Sequence, residues 1–171
     1  MNRIRILSLI VAATIALPVS ARAQVSERPY VLPLTLAVAA AEEAVHTCAA
    51  RGWDVTATVV DVSGVPKVVL RGDYSTIHTP VTAFRKAYTI VTMGPIFKLD
   101  NTAQFVEQVE HSRNAPVLAT LPNVIALAGG VAIKVGNEIV AGLGVGGSPG
   151  DTNDEICAQA GVDAIQNRLP H

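Results

Sequence analysis

The sequence predicts an α+β domain: a five-stranded, largely antiparallel sheet flanked by helices, in a profilin-like sandwich of two or three layers. Three observations predict it. Residues 34–51 carry apolar side chains at helical spacing. Two Val-rich runs, 55–61 and 65–71, are separated by the turn pair Ser63-Gly64. The last third is a strand meander with Gly129-Gly130 and Gly136-Asn137 as turns, closed by a helix.

Taken in order, Leu34, Ala37, Val38, Ala41, Ala44, Val45 and Cys48 form one stripe of the first helix. Thr35 is positioned to cap it, and Gly52 ends it. Thr79-Pro80 starts a second helix that buries Ala83, Phe84, Ala87, Ile90 and Val91 and should stop at Gly94-Pro95. A short helix is expected over Asn101–Glu110, then a proline-bearing loop over His111–Pro122. Val124–Ala128, Val131–Val135 and Glu138–Gly146 are the expected meander strands. Asp151 is the expected cap of a final helix reaching Leu169, with Asp154 in its first turn.

The chain has 171 residues, half of them hydrophobic, 16% charged and only 4% aromatic. The apolar content excludes a disordered chain, and no basic stripe points to nucleic acid. Arg3 and Arg5, the apolar run Ile6–Val19 and Ala21-Arg22-Ala23 read as a secretory signal peptide over residues 1–23. That run is shorter than the roughly 20 residues a spanning helix needs, so no membrane insertion is expected after cleavage. A lead-in over 24–33 and a single domain over 34–171 would follow. Losing Arg3, Arg5 and Arg22 from the 13 basic residues leaves 10 against 14 acidic ones, about −4. The address implied is the periplasm or the exterior. There, Cys48 and Cys157 could pair, or could be ordinary buried small residues.

Gly142-Leu-Gly-Val-Gly-Gly147 matches the dinucleotide-binding pattern G-x-G-x-x-G. That site requires a second strand and an acidic residue about 20 positions on, after the helix. Only the final helix follows, and Asp151, Asp154 and Glu155 at its start would repel a phosphate. These glycines instead predict close packing of a strand against its neighbour.

The run VIALAGGVAIKVGNEIVAGLGVGG from Val124 to Gly147 resembles the signature of the GlcG/HbpS-like haem-binding family. DEICAQAG from Asp154 to Gly161 is similar to that family's last helix. LTL at Leu34–Leu36, VVDVSG at Val59–Gly64 and FRKAYT at Phe84–Thr89 also fit, in the right order, over about residues 30–168. The chain is similar as well to the C-terminal domain of PduO-type corrinoid adenosyltransferases. The resemblance implies a compact domain that self-associates into homo-oligomers and binds haem, here non-covalent haem b because C-x-x-C-H is lacking. It also implies roles in haem or iron sequestration, delivery or redox sensing, some through a membrane sensor. Alternatives are an accessory for small organic acids in glycolate-type metabolism, or an interaction module.

Iron in haem needs an axial ligand, usually His, with Tyr, Met or Cys as variants. His46 projects about 120° from the centre of the first helix's apolar stripe, outward, where a subunit contact could lodge a ligand. The PduO-like relatives also imply a ligand from that helix, with Cys two residues on, as in His46-Thr47-Cys48. Helical geometry turns Cys48 about 200° from His46, so Cys48 is expected to pack. His46 is thus the first metal-ligand candidate, followed by His78 beside the second helix and by Tyr74; Met93 remains open. His111 sits in a loop and His171 is terminal. Arg85 and Lys86 are candidate propionate partners or, alternatively, the wet face of the second helix. No hydrolase, zinc or P-loop motif is present, so an enzyme is not the favoured reading. Asp61 and Asp73 read as turn residues.

Overall fold

A computed structural model describes residues 30–118 and 120–170; the signal-peptide reading and His171 lie outside them. The elements are α1 (Leu34–Ala49), β1 (Thr56–Asp61), β2 (Pro66–Arg71), α2 (Thr79–Phe97), α3 (Thr102–Glu110), the single turn α4 (Ala115–Leu118), β3 (Gly130–Val135), β4 (Glu138–Gly146) and α5 (Asp151–Gln166). The strands form one antiparallel sheet in the order β2-β1-β4-β3. α1 and α5 cover one face and α2 the other, which gives three layers.

Alternation along β4 divides the labour between the faces. Ala141, Leu143 and Val145 point into the α1/α5 core with Ala57, Val59 and Ile133. Gly142, Gly144 and Gly146 face α2. A Cβ on Gly142 would lie 2.7 Å from Ala87 O, and one on Gly144 would run into Ala83 O. The backbone of α2 therefore rests directly on the strand, which is the close-packing role expected of these glycines. Small residues do the same between α1 and α5. Ala37, Ala40, Ala41 and Ala44 are fully buried, and a side chain on Gly161 would collide with Ala40 O. The abundance of Ala and Gly is thus a consequence of helices lying close on their neighbours.

The sheet has four strands among the described residues, not five. Val124–Ala128 forms no ladder because its backbone groups are taken by side chains. Val124 O accepts from Arg85 Nη2 (2.6 Å), Ile125 N–H donates to Thr89 Oγ1 (2.9 Å) and Ala128 N–H to Asp151 Oδ2 (2.9 Å). The outer edge of β3 is meanwhile occupied by residues 100–101, through Ala132 N–H to Asp100 O and the Asn101–Val131 bridge. Among the described residues no backbone hydrogen bond covers the outer edge of β2.

Other boundaries also move. α2 continues through Gly94-Pro95 and ends at Lys98, in the left-handed conformation; the added turn brings Phe97 against Phe105, with ring centroids 6.4 Å apart. Asp151 does not cap α5: the N-cap is Gly150, and the Asp151 carboxylate serves Ala128 instead. Thr35 makes no cap bond; α1 starts from Pro33. Asn101 does cap α3, accepting from Gln104 N–H (3.0 Å). Asp61 organises the first hairpin, accepting from Ser63 N–H (2.8 Å) and Val65 N–H (3.0 Å).

Cys48 and Cys157 form a disulfide between α1 and α5, with Cα atoms 5.6 Å apart and 109 residues between them in sequence. A link over so long a loop restricts the unfolded chain strongly. Replacing both cysteines by serine is expected to lower unfolding stability by about 2–5 kcal/mol, measured by urea denaturation.

Candidate functional site

The candidate ligands collect at one end of the sheet. Here β1 begins, β2 and β4 end, α1 finishes and α2 starts, since Thr56 pairs with both Arg71 and Gly146. The loop 72–78 crosses this end from β2 to α2. Its anchor is a set of buried hydroxyls. Thr79 Oγ1 donates to Thr76 O (2.8 Å), so it accepts from Thr56 Oγ1 (2.7 Å) and Ser75 Oγ (2.5 Å). Arg71 clamps the same loop by donating Nε (3.1 Å) and Nη2 to Ser75 O. With its base fixed, the loop displays Tyr74 (83% exposed) and Ile77 (92%) to solvent. His78 occupies the N-cap position of α2, exposed, with Nδ1 3.3 Å from Thr76 Oγ1.

The structure thus brings Tyr74 and His78 together on one loop. His46 stands apart from that loop, on the last turn of α1, exposed as its position in the stripe predicts. The two elements are neighbours, since a Cβ on Gly72 would lie 3.9 Å from Val45 Cγ1. On the same helix surface Glu42, Ala49 and Ala50 are also exposed. His111 is also exposed, its Nδ1 2.8 Å from Glu107 O at the end of α3. Met93 is buried in the core beneath α2, and the Cys48 sulfur is committed to the disulfide.

The wet-face reading of Arg85 and Lys86 does not hold. Arg85 is half-buried and spends its guanidinium on Val124 O. Lys86 is 1% exposed and pairs with Asp154 Oδ2 at 2.6 Å. Its side chain leaves α2, passes Gly129 and reaches α5 on the far side of the sheet. A Cβ on Gly129 would sit 2.9 Å from Lys86 Nζ and 2.7 Å from Asp154 Cβ, so the notch exists only because glycine lines it. Asp154 Oδ1 holds the following loop, accepting from Ser148 N–H (2.9 Å) and Oγ (2.7 Å). Sequence reading missed this pair because Lys at an amphipathic helix flank usually points to water. The one available hint was an aspartate in the fourth position of a helix bearing a buried stripe.

Beside it, Glu155 accepts from Ala103 N–H (3.2 Å) and Gly129 N–H (3.4 Å). Burial raises its pKa above the usual 4.5, while those two backbone donors pull it down. A cleft of about 660 Å³ opens at the opposite end of the molecule, lined by Pro95, Lys98, Asp100, Lys134, Glu138 and Ile139. Lys134 and Asp100 pair across it at 2.5 Å. None of the imidazole candidates reaches it. No helix among the described residues is long and apolar enough to cross a membrane.

Two predictions follow from the charges. Lys86→Met is expected to cost about 3–5 kcal/mol, because Asp154 stays buried without its cation; Lys86→Met with Asp154→Leu should recover much of it in urea unfolding. For Glu155, a raised folded pKa means the folded state holds the proton more tightly. Its contribution is complete below about pH 4.5 and is lost as pH rises through the folded pKa. Glu155→Gln should therefore flatten the decline in stability with rising pH just above 4.5, read from urea midpoints.

The comparisons with known proteins agree on the fold. HbpS from Streptomyces reticuli, in a double-mutant form, is 33% identical, with 89% of this chain and 99% of that chain covered and a TM-score of 0.75. Klebsiella pneumoniae ORFY is 17% identical, with coverage of 82% and 95% and a TM-score of 0.73. A PduOC:heme complex is 22% identical, with coverage of 80% and 96% and a TM-score of 0.68. No curated protein matches the chain. A family model described as "Haem degrading protein HbpS-like" matches residues 32–163, and the chain belongs to that HbpS-like family.

Proposed function

We propose that this chain is an exported protein that binds haem b non-covalently, serving haem or iron sequestration, delivery or redox sensing. The observation that carries the reading is family membership over residues 32–163, joined by a haem complex among the structural neighbours. The buried disulfide supports export, since such bonds persist in oxidising compartments such as the periplasm or the exterior. So does the leader pattern over residues 1–23. His46, His78 and Tyr74 are the candidate axial groups, each exposed and therefore reachable by an iron porphyrin. A second subunit would wall a ligand at His46, which fits the homo-oligomer that the family resemblance implies. A membrane sensor is the partner such an assembly would address.

Two further readings have an observation behind them. The family description favours haem breakdown. Lys98 in the cleft, where Lys134 is already paired with Asp100, favours a small organic acid. Titrating hemin into the purified mature chain is expected to give a shifted Soret band that saturates at a fixed stoichiometry. An unshifted spectrum would sink the haem reading, and thermal stabilisation by glycolate would then favour the acid. Decay of the Soret band under ascorbate and oxygen, with the circular dichroism of the protein unchanged, would identify breakdown.

A further inference from the structure

The cleft of about 660 Å³ at the end of α2 lies within the roughly 300–1,000 Å³ range of small-molecule sites. Its walls are fixed by contacts within the chain. α2 rests closely on the floor, since a Cβ on Gly94 would lie 2.6 Å from Ile139 Cδ1. Leu99 N–H donates to Gly94 O (3.0 Å), and the left-handed turn at Lys98 (φ 58°) places that residue on one wall. The β3–β4 hairpin supplies another, where Asn137 follows the turn glycine and Glu138 pairs with Val135. Asp100 and Lys134 neutralise each other on a third side. Lys98 and Glu138 remain. Both are exposed, and the ion pairs among the described residues, Lys86–Asp154 and Lys134–Asp100, include neither. Opposite charges therefore line one cleft without meeting.

We propose that this cleft binds an α-amino acid with an apolar side chain, its carboxylate on Lys98 and its ammonium on Glu138; the inference deepens the organic-acid reading of the cleft and is independent of haem. Charge selects this class. A plain carboxylate meets Lys98 but sets a further negative charge beside Glu138 and Asp100. It also faces the carbonyl end of α2, a helix of 19 residues whose C-terminus carries partial negative charge. A plain amine suits that helix end and Glu138 but leaves Lys98 unmatched. A zwitterion answers both charges through charge-assisted hydrogen bonds. It also adds no net charge to a cleft where Lys98 and Lys134 already balance Asp100 and Glu138. Asn137 contributes an amide, which donates to a carboxylate or accepts from an ammonium. Pro95 with Leu99 and Ile139, the last two 7% exposed each, offers apolar contact to the ligand's side chain.

The test is isothermal titration calorimetry of the mature chain with L-leucine, N-acetyl-L-leucine, L-leucinamide and glycolate, with thermal unfolding as a second readout. L-leucine is expected to bind. The acetylated form lacks the ammonium and the amide lacks the carboxylate, so each should bind roughly tenfold or more weakly. Lys98→Gln and Glu138→Gln, both at exposed positions and checked for folding by circular dichroism, should each weaken L-leucine by roughly tenfold. If glycolate and N-acetyl-L-leucine bind as tightly as L-leucine and only Lys98→Gln weakens them, the organic-acid reading stands and the amino-acid inference falls. If both variants bind L-leucine as the parent does, its site is elsewhere and the inference falls. If no probe gives a saturating heat or raises Tm, the inference and the organic-acid reading fall together, and hemin titration still decides the haem reading.

Discussion

The arrangement depends on one ion pair that joins the two helical layers past Gly129, at the start of β3. Lys86 belongs to α2 and Asp154 to α5, and neither is accessible to water. Removing two charges from solvent is costly, and the cost is offset only when the pair is close and its spare lone pairs are used. Here both conditions hold: the contact is 2.6 Å, and the second carboxylate oxygen takes two bonds from Ser148. The pair constrains several things at once. It fixes the rotation of α2 over β4, the start of α5, the path of residues 147–150 and the glycines at 129 and 130. The Gly129-Gly130 pair of this chain is therefore partly the footprint of a lysine from another part of the sequence.

That dependence explains what could be read from the sequence and what could not. Apolar spacing found α1 and α2, and Val-rich runs set off by the turn pairs Ser63-Gly64 and Gly136-Asn137 found β1, β2, β3 and β4, two of which are buried on both faces. It failed at Val124–Ala128, whose apolar pattern is that of a strand. The competing partners there are Arg85, Thr89 and Asp151, which lie tens of residues away and leave no local trace. It failed for Gly94-Pro95 for a similar reason. Packing of Phe97 on Phe105 carries the helix past residues that usually stop one.

At the candidate site, the outward placement of His46 was legible from its angle on α1, and the grouping of Tyr74 with His78 from their nearness in sequence. That β2 lies at an edge of the sheet follows only from strand order, which the sequence does not show. Arg85 and Lys86 show the converse error. Two cations adjacent on a helix suggested a ligand's charge, whereas the protein's own carbonyl and carboxylate already meet them.

The bond between Cys48 and Cys157 lies beneath two helices, with both residues completely inaccessible. A small thiol or a disulfide-exchange enzyme can attack it only when α1 and α5 have parted. The crosslink is thus a passive brace whose chemistry is gated by unfolding, insulated from ordinary swings in the surrounding thiol pool. Reduction of these two sulfurs must therefore wait for a helix to move.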